Sequence, residues 1–211
     1  SFLNNKLLLN ILACGMILSC PMQLDLFGAT PKAGMKEAPK WVAFTSTEDG
    51  FSVDLPTNPE HVSQTIDIPN SSMKISYDTY ISEPNESTVY VISVWDYPPQ
   101  VDMSQPEVNL QDGFGGMLSA LPGSEVQEMK MTDVGGFPAL EFLVKNEDIY
   151  FQGKLILVHN TLYQVFTVYK DGTDMKADYA HFMKSFELIS PDKREVEPEA
   201  TPQAAAKRMN V

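Results

Sequence analysis

The chain predicts an α+β domain, an antiparallel sheet flanked by helices. Between residues 41 and 188 short apolar runs of period two are separated by turn pairs built from Gly, Pro, Asn and Asp. Two stretches break that period with apolar residues at helical spacing, and the resulting order is strands, helix, strands, helix.

The first elements are strands. Trp41 and Phe44, then Phe51, Val53 and Leu55, flank Thr47-Glu48-Asp49-Gly50, whose Asp-Gly pair signals a hairpin; Pro56 and Pro59 end its second strand. A strand over 61–68 closes at Pro69-Asn70. Met73, Ile75, Tyr77 and Tyr80-Ile81 alternate until Pro84-Asn85. The next strand has Val89, Val91, Ser93 and Trp95 on one side and Tyr90, Ile92 and Val94 on the other, so it should be buried on both faces. Pro98-Pro99 closes it.

A helix is expected over 107–121, from the spacing of Val108, Leu110, Phe114, Met117-Leu118 and Leu121 and the stop at Pro122-Gly123. Gly115-Gly116 costs that helix about 1 kcal/mol per residue relative to Ala, which suggests close packing against the sheet. Strands over 125–131, 139–145, 150–158 and 161–169 come next, turning at Gly135-Gly136, 146–148 and His159-Asn160. The last helix, over 174–185, is expected to take Asp174 as its N-cap and to bury Met175, Tyr179, Phe182-Met183 and Phe186. Trp95, Phe142, Phe166, Phe182 and Phe186 are the expected aromatic core.

The leader carries the address. Asn4, Asn5 and Lys6 precede an apolar run over 7–18 that contains a single amide, Asn10. That length suits a signal core and is short of the roughly 20 apolar residues needed to span a bilayer. Ile17-Leu18-Ser19-Cys20 then places a small residue before a cysteine, as in the lipobox of bacterial lipoproteins. Residues 1–19 are therefore expected to be a signal peptide, with Cys20 as lipidation site, 20–40 as lipid-anchor tether, 41–190 as the folded domain and 191–211 as a disordered tail. The expected location is the bacterial cell envelope, anchored and facing periplasm or exterior. Both cysteines, Cys14 and Cys20, lie in or beside the leader, so the domain has no thiol for a disulfide or a metal.

Charge narrows the partners. Residues 41–190 hold 22 Asp and Glu against seven Lys and no Arg, a balance of −15. Phosphate contacts come from Lys and Arg, so nucleic acid is excluded as a partner. The membrane is expected to be reached through Cys20. A protein partner is expected to meet the acidic surface, in contacts that weaken with salt.

Several segments resemble PsbP/Mog1-like domains. These are Trp41…Phe44 followed by Glu48-Asp49-Gly50-Phe51-Ser52-Val53-Asp54-Leu55-Pro56…Pro59, then Gly135-Gly136-Phe137-Pro138-Ala139, Leu162-Tyr163-Gln164-Val165 and the closing Phe182-Met183-Lys184-Ser185-Phe186. The resemblance covers about 40–188. It implies a Mog1/PsbP-like α/β/α sandwich and a family that includes a photosystem oxygen-evolving subunit, a Ran-binding nuclear protein and many bacterial lipoproteins. No Ran-binding or photosystem residue carries over onto this chain.

Motifs of chemistry are sparse. Nucleophile elbows, phosphate loops and nucleotide fingerprints are absent from the sequence. The three histidines, His61, His159 and His181, have no metal-type partner at i+2 or i+4; Glu141 and His159 are possible neighbours across strands. Glu147-Asp148 and the loop acids Asp171, Asp174 and Asp178 offer oxygen ligands without the dense array of a calcium loop. No catalytic, cofactor-binding or metal residue is assigned, and no cofactor is expected. The expected function is a lipid-anchored, non-catalytic binding or assembly module. The competing readings are a metal-binding or enzymatic envelope protein using those carboxylates with His159 or His181, and a host-facing surface antigen.

Overall fold

The computed structural model describes residues 40–68 and 70–189; the leader, Cys20, the tether and the tail lie outside the described residues. The described residues form ten strands and two helices: β1 (Val42–Ser46), β2 (Phe51–Leu55), β3 (Glu60–Asp67), β4 (Lys74–Asn85), β5 (Thr88–Asp96), α1 (Pro106–Ser119), β6 (Glu125–Val134), β7 (Phe137–Asn146), β8 (Ile149–Val158), β9 (Thr161–Lys170), α2 (Lys176–Ser185) and β10 (Glu187–Leu188).

Seven strands form one antiparallel sheet in the order β3-β4-β5-β9-β8-β7-β6. Two meanders build it. The chain climbs through β3, β4 and β5, crosses along α1 to the far edge, and returns through β6, β7 and β8 so that β9 lands beside β5. A helix of α1's length spans about 21 Å, which matches the four strand spacings of about 4.8 Å each that separate β5 from β6. Central strands β5 and β9 are buried on both faces, as the two-sided apolar pattern requires. Edge strands β3 and β6 are mostly exposed, and Glu125, Glu128, Lys130 and Asp133 place charge along the β6 edge.

Each face of this sheet has its own core. On one face α1 buries Leu110, Phe114 and Met117 over Leu140, Phe142, Leu155 and Phe166. Phe114 and Phe142 meet with ring centroids 5.5 Å apart. On the same face Tyr77 stacks on Trp95 at 4.3 Å, and the Trp95 indole N–H donates to Gln164 Oε1 at 3.3 Å. On the other face Phe51, Leu55, Tyr90, Ile92, Val165, Phe182 and Phe186 form the second core. All five expected core aromatics are buried, with Phe186 the most exposed at 8%.

Three expectations are corrected. The β1–β2 hairpin does not extend the large sheet: with β10 it makes a separate three-stranded sheet, β1-β2-β10, which shares the second face with α2. Helices thus flank the large sheet, but on that face a helix and a small sheet cover it together. Second, the α2 N-cap position is Met175, with no side-chain cap. Asp174 Oδ1 instead accepts from the Lys176 N–H at 3.3 Å, an Asx-type turn one residue early. Third, Gly115 does not permit a close approach. It is exposed with open space where a Cβ would stand, and the buried glycine of α1 is Gly113.

Candidate functional site

A cavity of about 310 Å³ lies beneath the N-terminal half of α1. Its floor is apolar sheet surface: Ile75 of β4, Leu157 of β8 and Leu162 of β9. Leu110 and Gly113 of α1 form the roof, where the missing side chain of Gly113 leaves room. Tyr97, Val101 and Met103 wall one side, on the connection that leaves β5.

Local sequence explains that wall. Pro98-Pro99 cannot continue a sheet ladder, so the chain leaves β5 and turns, with the Val101 N–H donating to the Pro98 carbonyl at 3.0 Å. Asn160, in the β8–β9 turn, pins the connection from below. Its carbonyl accepts from Tyr97 N–H at 2.9 Å and its Nδ2 reaches the Pro98 and Val101 carbonyls, each at 3.3 Å. Pro106 then starts α1 at a position that needs no N–H, with Glu107 in the first turn favourable to the helix dipole. Burial pushes the Tyr97 phenol well above its ordinary range, so it stays neutral.

Two polar side chains, Asn109 and Asp112, join this otherwise apolar lining. Asn109 Nδ2 donates to the Asp102 carbonyl at 3.1 Å, which fixes the orientation of the amide, since only the NH₂ can bond to a carbonyl. Its Oδ1 is buried and has no hydrogen-bond partner. Asp102 is itself fixed: the hydroxyl and N–H of Ser104 hold its carboxyl below the usual range. An apolar cavity with a few polar groups at its wall is equipped to hold a small organic molecule.

A second constellation lies across the sheet. Asp49, His61 and Asp78 present ligand atoms all within 4.8 Å of one another, the one such grouping of three among the described residues. Asp49 is 3% exposed and accepts from the Tyr80 hydroxyl at 2.5 Å and Ser46 Oγ at 3.3 Å, while its backbone carbonyl accepts from the Tyr163 hydroxyl at 2.6 Å. Burial first, and then the Asp49 hydrogen bond, push the Tyr80 phenol far up. His61 stacks on the Tyr80 ring at 4.3 Å, with Nε2 2.7 Å from Asp78 Oδ1; Ser63 Oγ donates to the same oxygen. These bonds fasten the β1–β2 turn to β4 and β9.

The residues singled out from sequence are scattered. His181 stacks on Trp41 at 4.3 Å and lies 2.8 Å from Asp54 Oδ2, tying α2 to β2. His159, in the β8–β9 turn with φ 52°, packs edge-on to Phe137. Glu141 is not its partner; in register it faces Lys154 on β8 and Lys130 on β6. Asp171 pairs with Lys145 at 3.1 Å, and that ammonium holds its carboxyl below the usual range. A cation at Asp171 would have to displace Lys145. Asp174 bonds its own helix start, and Asp148 offers its backbone carbonyl to Asp171 N–H at 2.7 Å. The loop acids and histidines therefore do not converge.

Asn109, Tyr97 and the Asp49–His61–Asp78 group escaped the sequence reading. The third had a signal: the antiparallel pairing of β3 with β4 puts His61 directly opposite Tyr80, and Asp78 one same-face step away. Asn109 had none, because its meaning depends on a carbonyl seven residues earlier and on a sheet folded beneath it.

No family model and no curated protein match the chain. Among solved structures it is similar to the cyanobacterial PsbP, CyanoP, of Synechocystis sp. PCC 6803, with 12% identity over 77% of this chain and 100% of that one, TM-score 0.46. It is also similar to the protein PA94 of Pseudomonas aeruginosa, of unknown function, with 10% identity over 76% of this chain and 99% of that one, TM-score 0.35. A PsbP thus stands among the similar solved structures, the family that the sequence segments resemble.

Proposed function

We propose that this protein is a lipid-anchored, extracytoplasmic module of the bacterial cell envelope that binds a ligand without transforming it. The observation that carries the reading is the cavity beneath α1. At about 310 Å³ it is at the small end of the roughly 300–1,000 Å³ range of ligand pockets, and its lining is apolar with a few fixed polar groups. The two histidines that pair with carboxylates, His61 and His181, are both flattened against aromatic rings, a use of imidazole as packing and tether. The Ile17–Cys20 segment after a short apolar core supports the anchor.

Two experiments test this. Cys20→Ala should move the full-length protein from the detergent phase to the aqueous phase. Absence of fatty-acid label on the wild type would remove the anchor. Stable anchoring needs more than one acyl chain, since a single one binds only marginally. For the cavity, propylbenzene should shift the methyl resonances of Leu110, Leu157 and Leu162 saturably, and Met73→Trp, at a half-buried lining position, should abolish the shift.

A second reading has its own support in the convergence of Asp49, His61 and Asp78, one imidazole and two carboxylates at a spacing that small movements would close on a divalent ion. Under the first reading millimolar zinc or calcium leaves the melting midpoint unchanged. A ligand at a hundred times its dissociation constant stabilises by about 2.7 kcal/mol. A rise of several degrees that disappears in Asp78→Asn would therefore favour the metal reading.

A further inference from the structure

We propose that the mouth of the cavity beneath α1 is the docking surface for a protein partner, which seats one aromatic side chain in the cavity and lays a basic segment around it. This rests on the reading of the cavity as a binding site and names what fills it.

The seat follows from volume. The cavity of about 310 Å³ is roughly twice the ~150 Å³ of a cavity that holds benzene, so the side chain of a phenylalanine or a tryptophan fits. Leu157 and Leu162 below and Leu110 above offer the ring dispersion contacts and removal from water. An aromatic anchor in a preformed pocket is the common centre of a protein interface.

The apolar surface does not end at the cavity. Ile68, Met73, Val101 and Met103 of the lining are only half-buried, and Val108 on α1 is 48% exposed. Val108 precedes the lining residue Asp112 by four positions, so the two share a side of the helix. An apolar patch that runs from a pocket out onto the surface exceeds what a small molecule covers and suits a larger partner. The patch is also held in place before anything binds. Asn160 fastens the connection through the Pro98 and Val101 carbonyls, and the Ser104 N–H holds the Asp102 carboxylate at 2.9 Å, so docking has little order to impose.

Charge sets the kind of partner. Asp102 stands between the lining residues Val101 and Met103, Glu107 lies one helical turn ahead of Leu110, and Asp112 belongs to the lining itself; all three are exposed. From residue 75 to residue 129 the chain has nine Asp and Glu and no Lys, Arg or His, so nothing in this stretch offsets them. Lysine or arginine on either side of the anchor thus meets carboxylates on both the connection and the helix, where an acidic segment meets repulsion. These pairs form at the exposed rim and keep much of their hydration, so their desolvation cost stays small.

The test compares three blocked peptides: phenylalanine flanked by a pair of lysines on each side, the same peptide with alanine at the centre, and phenylalanine flanked by pairs of glutamates. Each is titrated into the wild-type protein at low salt and monitored through the methyl resonances of Leu110, Leu157 and Leu162, with propylbenzene as the control for the cavity alone. The lysine peptide with phenylalanine is expected to bind about tenfold tighter than its alanine counterpart, from burial of the ring. It should bind about three- to tenfold tighter than the glutamate peptide, an advantage that fades at high salt. The triple variant Asp102→Asn, Glu107→Gln, Asp112→Asn should remove the preference for lysine over glutamate and leave propylbenzene binding unchanged. The salt dependence of the wild type tests the charge even if that variant folds poorly. Equal binding of the lysine and glutamate peptides, equal binding of the phenylalanine and alanine peptides, or a preference that salt leaves intact overturns the docking inference; propylbenzene binding then still leaves the cavity as a binding site. If neither the peptides nor propylbenzene shift these methyls, the binding reading itself fails.

Discussion

Replacing Gly153 by alanine is expected to cost the domain at least about 3 kcal/mol, the upper end for overpacking, and to leave little folded protein at 37 °C. Gly153 sits in the middle of β8, opposite Phe142 on β7 and Phe166 on β9. A Cβ there would lie 2.2 Å from the Val165 carbonyl oxygen and 2.5 Å from the Phe166 Cα. Both obstacles are backbone atoms of a central strand, so no side-chain rotation relieves the clash. The strands would have to part, and β9 is the strand through which the two meanders meet. Urea denaturation reads the effect as a fall in midpoint. The control is Gly115→Ala, where a Cβ meets nothing and the helix should gain roughly 0.5–1 kcal/mol. A Gly153→Ala protein with the wild-type midpoint would mean that β8 and β9 do not pair in this register.

Phe182→Ala is expected to cost about 3–5 kcal/mol, a large part of the 5–15 kcal/mol that holds a typical domain together. Within α2, a helix of ten residues, Phe182 is the one buried side chain, at 0% exposure with its ring 5.1 Å from Tyr90. So short a helix has no stability of its own and exists because it docks. Losing the dock should also loosen β10, which pairs with β2 through Glu187 and Leu188, and the Ile189 N–H bond to the Gly50 carbonyl. Chemical denaturation measures the total. Hydrogen exchange should show protection lost first in β2 and β10 and kept longest in β5 and β9. A change below about 1 kcal/mol would show that α2 does not seat Phe182 in the second core.

The residues that made elements legible are local. Asp49-Gly50, Gly135-Gly136 and His159-Asn160 mark turns, and the structure turns at each. The two-sided apolar pattern of 89–95 announced a central strand, and β5 is one. Leu110, Phe114 and Met117 announced the buried stripe of α1. Period two or period 3.6 is written in consecutive residues, so it survives without knowledge of the fold.

By itself, then, the sequence determined which segments are strands and helices, which side of each is apolar, and that their sum is an acidic α+β domain dominated by antiparallel pairing. Only the tertiary structure decided which elements are neighbours. The β1–β2 hairpin has apolar residues enough to join the large sheet, yet it packs face-on to it, because Asp49, Tyr80 and Tyr163 bind its turn over β4 and β9. The two-residue β10 carries no pattern long enough to read; it is a strand because α2 delivers it to β2. The cavity gathers residues from 68 to 162, and Asp49, His61 and Asp78 meet across two turns. Alternation says which face a side chain takes. It says nothing of what stands across from that face, since that depends on contacts between residues far apart in the chain, and those exist only once the chain has closed on itself.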